Sequence, residues 1–259
     1  MLEPLFRSDG SSFMPSVQAR GPWDEDALHG GPVAALIARE LERLDSDSPM
    51  QVTRFTMEIL RPVPLQPLRV ATRLLRPGRR VQLVGATVSA DGVELCTASA
   101  WRILVQDLST EMPSGDDGGR PAPPESGTSE QDESWPPAFH STGVEMRFVD
   151  GHFAERGPAT VWIRLRGAVV DAETPSPLMR TVAAADFGNG VSALLDWSMT
   201  MFINTELTVH LLRPAGGEWV CLDARTQLSG RGAGIADSAL FDTSGFIGRA
   251  AQALFVAPR

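Results

Sequence analysis

The sequence contains no lysine, no tyrosine and only two cysteines. Cys96 and Cys221 are too few for a disulfide framework, and neither belongs to a CxxC pair. Because the four histidines are scattered along the chain, the sequence predicts no metal site. The GxSxG, P-loop, dinucleotide-binding and HExxH motifs are also missing, so nothing indicates a serine hydrolase, a nucleotide-binding enzyme or a zinc protease. We attribute the absence of lysine to codon usage.

Long apolar runs and an excess of positive charge are missing too. No run approaches the roughly 18 apolar residues that a membrane helix requires, and the first ten residues have no apolar signal core. The net charge is 23 − 32 = −9, which speaks against a nucleic-acid binder. We therefore expect a cytoplasmic protein that neither inserts into a membrane nor binds nucleic acid.

The negative charge is concentrated in residues 106–137, which hold eight acidic residues, one arginine and six prolines. A segment with so few aliphatic side chains buries too little surface to offset the entropy lost on ordering, which predicts a linker without regular structure. It divides the chain into an N-terminal domain at 1–105 and a C-terminal domain at 138–259.

The two halves look alike. RFTMEILRP at 54–62 and ELTVHLLRP at 206–214 align at an offset of 152, and each is followed by further strand-like segments. A helix precedes each block; Pro32 opens the first, and Ser176-Pro177 opens the second, which Gly188 is positioned to end. One helix followed by an antiparallel meander predicts an α+β fold, duplicated in tandem, whose halves share one continuous sheet.

Several of these segments resemble the acyl-CoA thioesterase II-type double hot-dog family, in its actinobacterial branch. They cover both halves and are HGGPVAALIARELER, GVEMRFVDG, TVWIRL, AAADFGNG, ELTVHLLRP and GRAAQALFV. The resemblance implies a double hot-dog fold in which each sheet wraps around a central helix, and hydrolysis of acyl-CoA without metal or cofactor. It also implies catalytic residues in the C-terminal half, namely an Asp, a Thr and a Gln that activate water.

Carried over residue by residue, the family Asp falls on Asp186 and the Gln on Gln252. The Thr position is occupied by Asn204, a departure from the pattern, and Thr205 next to it offers a hydroxyl and is a further candidate for the oxyanion or substrate site. Asn can still orient a water, because its amide both donates and accepts. The change leaves the implied fold intact and raises the question of whether turnover is weakened.

The residues alone leave alternatives open. Asp186 follows Leu178 and Val182 on the apolar helix face and lies in the last turn, where burial and the helix dipole both disfavour its charged form. That placement suits a general base, but also a carboxylate bonded to a loop amide or an arginine. Gln252 lies in a buried-looking strand, where its amide could hold a water or the backbone at a bulge. Strand alternation puts Asn204 on the face away from the core, which favours an ordinary turn residue.

His29-Gly30-Gly31 opens the first helix. Amides at a helix N-terminus favour developing negative charge, so these residues are candidates for an oxyanion hole, or merely a turn. His29 itself is more typical of a structural residue than of a base. The first-half positions that match Asp186, Asn204 and Gln252 are roughly Leu41, Val52 and Ser99, which form no comparable polar set, and we expect one site per chain.

The sequence thus predicts an acyl-CoA thioesterase without cofactor or metal, assembled as a homodimer or a larger homo-oligomer. One alternative is a binding protein for acyl thioesters that has lost turnover through the Asn204 change. Another is enoyl-CoA hydratase chemistry on the same fold, although no Asp/His pair of the hydratase spacing is present. The acyl chain is expected between the helix and the sheet.

Overall fold

The computed structural model describes residues 3–107, 119–130, 135–153 and 155–259. These residues form three α-helices, which are α1 (Gly30–Glu42), α2 (Pro177–Ala185) and α3 (Gly188–Val191). They also form fourteen strands, which are β1 (Phe6–Ser8), β2 (Phe13–Pro15), β3 (Met50–Ile59), β4 (Arg69–Arg76), β5 (Val81–Ala90), β6 (Val93–Leu104), β7 (Thr128–Ser129), β8 (Val144–Asp150), β9 (Ala159–Leu165), β10 (Thr200–Asn204), β11 (Glu206–Leu211), β12 (Val220–Leu228), β13 (Ala233–Asp242) and β14 (Gly245–Pro258).

Twelve of these strands form one antiparallel sheet that runs through both halves. Its order is β4-β5-β6-β3-β11-β14-β13-β12-β9-β8-β7, and β10 continues beside β14 next to β11. The halves meet where β3 pairs with β11. The predicted α+β architecture, with a tandem repeat and one continuous sheet, is confirmed.

The repeat has a local two-fold axis at the junction of β3 and β11. Thr56 and Thr208, which differ by the repeat offset of 152, are direct partners in the sheet, and their hydroxyls lie 3.2 Å apart. Each repeat also carries a bulge at the same place. The pairing slips by one residue at Thr53 in the first half and at Thr205 in the second. The bulges turn the chain so that the preceding residues, Val52 and Asn204, face the core side.

Helices α1 and α2 pack against each other. The imidazole of His29 caps α1 by accepting a hydrogen bond from the Gly31 amide, and the Ser176 hydroxyl caps α2 by accepting from Met179. The apolar stripe of α1, including Leu36, Ile37 and Leu41, is fully buried against the sheet. None of the helices in the described residues is long and apolar enough to cross a membrane.

The second helix ends earlier than the sequence suggested. Helix α2 stops at Ala185, Asp186 is its C-cap, and Gly188 begins the short helix α3 instead of ending α2. The glycine is needed there for close packing, because a Cβ at Gly188 would lie 3.0 Å from the side-chain oxygen of Gln252. The prediction that Gly188 ends the helix is therefore wrong.

Part of the acidic segment is ordered against the C-terminal half. Strand β7 extends the sheet by pairing with β8, and the Trp162 indole donates to the Ala122 carbonyl at 2.7 Å. Glu130 accepts from the Phe153 amide at 2.8 Å. Residues 119–130 therefore include a short strand with backbone pairing to the C-terminal half, which composition did not predict. The remainder of the expected linker includes 108–118 and 131–134, which lie outside the described residues.

Candidate active site

Asp186 lies at the centre of a polar cluster where α2 ends between the two halves. The residue is 3% exposed, and its carboxylate faces three other side chains. Asn204 Nδ2 donates to Oδ1 at 2.9 Å, and Gln252 Nε2 donates to the same oxygen at 3.3 Å. His29 Nδ1 lies 2.8 Å from Oδ2. The structure thus brings together all three residues that the resemblance selected, and adds His29 from the other half.

The bulge at Thr205 places Asn204 in this cluster. Asn204 pairs with Leu254 at the end of β10, and the extra residue resets the alternation before β11 begins at Glu206. Asn204 therefore shares the core face with Phe202 and Leu207. The prediction that it faces away from the core is wrong, because strand alternation was counted across a bulge. Thr205 is exposed, and its hydroxyl donates to the Ala253 carbonyl at 3.3 Å and not to Asp186.

Gln252 is held in one orientation by α3. Its side-chain oxygen accepts from the Asn189 amide at 3.0 Å, which leaves Nε2 directed at Asp186, where it also meets the backbone carbonyl at 3.2 Å. The side chain is 2% exposed and all of its polar atoms are bonded. Hydrogen bonds therefore connect the Asn189 amide of α3, the Gln252 side chain and Asp186 in one network.

His29 links the two repeats through a single ring atom. Nδ1 lies 3.1 Å from the Gly31 amide nitrogen, which donates to it, and 2.8 Å from Asp186 Oδ2. When Nδ1 accepts from Gly31, a hydrogen bond to Asp186 needs the proton on the carboxyl group; when Nδ1 carries the proton, it donates to the carboxylate. The contact thus depends on one proton shared between the ring and the acid. Sequence reasoning placed His29 among the oxyanion candidates and did not predict its contact with Asp186, since no pattern relates it to a residue 157 positions away.

Gly30 and Gly31 let α1 approach the cluster closely. A Cβ at Gly30 would lie 2.8 and 2.9 Å from the two carboxylate oxygens of Asp186, and one at Gly31 would lie 2.7 Å from the Ala183 carbonyl. No side chain fits at either position. Because the Gly31 amide is bonded to His29, the Gly30 amide is the one that the helix leaves without an intrahelical acceptor.

The cluster borders a cavity of about 480 Å³ between the halves. Asp186, Asn204, Asn189, His29 and Gly30 lie along its wall. Apolar side chains from both repeats form most of the remaining lining, including Leu28, Val33, Met57, Ile59, Val63, Met201 and Ile203. The polar cluster therefore has access to a space suited to an apolar ligand.

Two further titratable groups near the cluster are neutral. Burial, reinforced by the charge of Asp186, raises the pKa of the Cys96 thiol in the cavity wall to about 12, so Cys96 is no thiolate nucleophile. Burial, with a contribution from His29, lowers the pKa of His140 to about 4. His140 lines a separate, aromatic cavity of about 210 Å³, whose lining also includes His29. No sequence pattern predicted either placement.

The first repeat lacks the amides of this cluster. The sheet register places Val52 where Asn204 stands, and Ala100 where Gln252 stands, since Phe55 pairs with Ala100. Ser99 corresponds to Ala251, and assigning it to Gln252 was wrong by one residue. The expected absence of a matching polar set in the first half thus rests on Val52 and Ala100.

Two family models match the chain. The C-terminal domain of acyl-CoA thioesterase matches residues 118–256, and the N-terminal domain matches residues 19–103. A search of curated proteins finds no significant match in sequence.

Solved structures show the same fold. A proposed thioesterase II from Thermobifida fusca superimposes with a TM-score of 0.77 at 19% identity, covering 97% of this chain and 94% of that one. A protein of unknown function with a hot-dog fold from Alicyclobacillus acidocaldarius gives 0.75 at 16% identity, with coverage of 98% and 95%. An acyl-CoA thioesterase II from Mycobacterium marinum gives 0.61 at 16% identity and 90% of both chains. At these identities the likeness establishes the double hot-dog fold.

Proposed function

The chain belongs to the acyl-CoA thioesterase family, and on that premise we propose that it hydrolyses acyl-CoA to a free carboxylic acid and CoA, with Asp186 activating the attacking water. The single observation that carries the proposal is the buried Asp186 carboxylate, held by Asn204 and Gln252 at the wall of an apolar cavity.

Asn204 and Gln252 orient the base. Both Nε2 hydrogens of Gln252 point to Asp186, one to the backbone carbonyl and one to Oδ1, and Asn204 donates to the same Oδ1. Hydrogen bonds to the charged form stabilise the carboxylate in its buried position. The Oδ2 atom is left to take a proton, and the side-chain oxygen of Asn204 remains available for the second hydrogen of the water.

The reaction follows from this arrangement. The water oxygen bonds to the thioester carbonyl carbon while its proton passes to Asp186, and the carbonyl oxygen becomes an oxyanion that accepts from the Gly30 amide at the N-terminus of α1. The C–S bond then breaks, and the CoA sulfur leaves with the proton that Asp186 holds. His29, within 2.8 Å of Oδ2, positions the acid and shares that proton.

The substrate fits the same surroundings. The acyl chain extends along the apolar lining between α1 and β3, where Val33, Met57 and Ile59 face the cavity. Arg61 lies at the exposed rim and supplies positive charge for the phosphates of CoA. The substitution of Asn204 for the family Thr keeps a donor to Asp186, which favours a working enzyme over a binding protein without turnover.

The test is a thiol-release assay on the purified chain with saturated acyl-CoAs of short, medium and long chains, and a parallel analysis of products from an enoyl-CoA. We expect release of free CoA and of the unmodified acid. Tight binding of acyl-CoA without release of thiol would replace the proposal by the binding protein, and a 3-hydroxyacyl-CoA product would replace it by hydratase chemistry.

A further inference from the structure

The two-fold repeat creates a second cavity opposite the first. The first cavity lies between the N-terminus of α1 and the C-terminus of α2; the second, of about 330 Å³, lies between the C-terminus of α1 and the N-terminus of α2. Ile59 and Pro62 line the first, and their counterparts at the offset of 152, Leu211 and Pro214, line the second. The two cavities are therefore equivalent by symmetry.

In the second cavity the polar side chain comes from the strand next to the bulged one. In the first cavity, Asn204 projects from the bulged strand and pairs with Leu254. In the second, Val52 occupies the bulged strand and pairs with Arg102. Val52 and Ala100 stand where the first cavity has its two amides, and the second cavity has gained a guanidinium.

Arg102 is a buried cation without a counter-ion. The residue is 4% exposed and donates to the Leu44 carbonyl and the Gln82 side-chain oxygen, both at 2.6 Å. Its Nε is buried and has no partner among the described residues. No described carboxylate lies within ion-pair distance, and burial by itself lowers the pKa of the group. A charge held in this way is unfavourable until an anion approaches it.

The acid nearest the cavity is already engaged. Glu42, in the lining of the same cavity, accepts from the Ser176 hydroxyl at 2.6 Å, and burial raises its pKa. Burial thus disfavours the negative charge with which Glu42 would oppose an anion. The rest of the lining is mostly apolar and comprises Met50, Gln51, Val52, Pro177, Leu178, Thr181, Leu211, Pro214 and Ala215, of which Gln51 and Thr181 are polar.

We propose that the second cavity binds the carboxylate of an aliphatic acid, with Arg102 as its counter-charge and the apolar lining around its chain. Arg102 is the one cation among the described residues that line this cavity, which matches the single charge of a carboxylate, whereas a phosphate dianion would require further donors. The ligand is of the class that thioester hydrolysis releases, but binding in the second cavity requires no turnover and does not rest on the proposed function.

The test uses the full chain and a symmetry-matched pair of variants. Decanoate is titrated by calorimetry into the wild type, Leu211→Phe and Ile59→Phe, which fill the second and the first cavity respectively. We expect Leu211→Phe to remove one decanoate site and Ile59→Phe to leave that site intact. Arg102→Met, which keeps an apolar stem, should weaken the same site at least about tenfold, in line with the loss of a hydrogen bond to a charged group.

Decanol, which has the same chain without the charge, is the ligand control. We expect it to bind the second cavity at least about tenfold more weakly than decanoate. The proposal is overturned if Leu211→Phe leaves decanoate binding unchanged, or if decanol binds as tightly as decanoate. Because these titrations involve no thioester, an inactive enzyme that binds decanoate in the second cavity would refute the proposed hydrolysis and leave this inference standing.

Discussion

Replacing Asp186 by Asn separates its chemical role from a structural one. The new amide keeps an oxygen that can accept from Asn204 and Gln252, as Oδ1 does at 2.9 and 3.3 Å. The nitrogen takes the place of Oδ2, 2.8 Å from His29 Nδ1, which accepts a hydrogen bond when its own proton is on Nε2. The packing of the cluster is therefore preserved while the base is removed.

The expected result is a loss of rate without a loss of stability. General-base contributions are of order 10²–10⁴-fold, so thiol release should fall by at least about 10². Removing a negative charge from the C-terminus of α2 relieves about 0.3–1 kcal/mol of unfavourable interaction with the helix dipole. We expect the free energy of unfolding to be unchanged or raised by up to that amount, as measured by denaturant unfolding beside initial rates.

Asp242→Asn is the matched control, because Asp242 is another buried carboxylate and lies outside the cavity. Burial raises its pKa, but Arg213 and the amides of Gly216 and Ser244 outweigh this and lower the pKa to about 2. The difference from the ordinary value of 3.8 corresponds to about 2 kcal/mol of stability, present above about pH 4 and lost as the pH falls through about 2. This variant should lose that stability at neutral pH and keep its rate per folded molecule. If Asp186→Asn unfolds the protein while its folded fraction retains full turnover, Asp186 is a structural cap and our reasoning is refuted.

Three further predictions concern the surroundings of the site. Gln252→Ala should lower the rate of thiol release at least about tenfold by removing a hydrogen bond to a charged group. Ser99→Ala, on the first-half strand that matches β14, should leave the rate unchanged. Equal losses of rate would contradict a single site in the second half. Gly30→Ala forces a Cβ to within 2.9 Å of both Asp186 oxygens, so the rate should fall by about 10²; a rate within twofold of the wild type would show that the carboxylate can move freely. Deleting residues 108–118 should leave the melting temperature unchanged. Deleting residues 119–130 removes β7 and the hydrogen-bond acceptor of Trp162, so it should lower the melting temperature. Equal melting temperatures of the two deletion variants would mean that the pairing of β7 and the bond to Trp162 do not stabilise the protein.

Local sequence patterns were sufficient to predict the fold and part of the candidate site. The offset of 152 predicted the repeat, because each half must bury the same apolar stripe, and the structure places Thr56 opposite Thr208 at that offset. The apolar face of α2 indicated that Asp186 is buried. The orientation of Asn204 could not be predicted, because a bulge adds one residue without altering the apolar pattern on either side.

The contact between His29 and Asp186 also could not be predicted from the sequence. It depends on how α1 packs against α2, which involves close approaches at Gly30 and Gly31 and is not apparent from the sequence around either side chain. The regular structure in residues 119–130 depends on backbone pairing, which cannot be predicted from amino-acid composition.

Strand β14 is an inner strand of the sheet. It lies between β11 and β13 and follows both of them in the sequence. Until β14 is in place, β11 and β13 each expose an unpaired edge, and Asp186 has no glutamine beside it. The strand that joins these two edges also carries Gln252, so a substitution that weakens the pairing of β14 would disturb the sheet and the Asp186 cluster together.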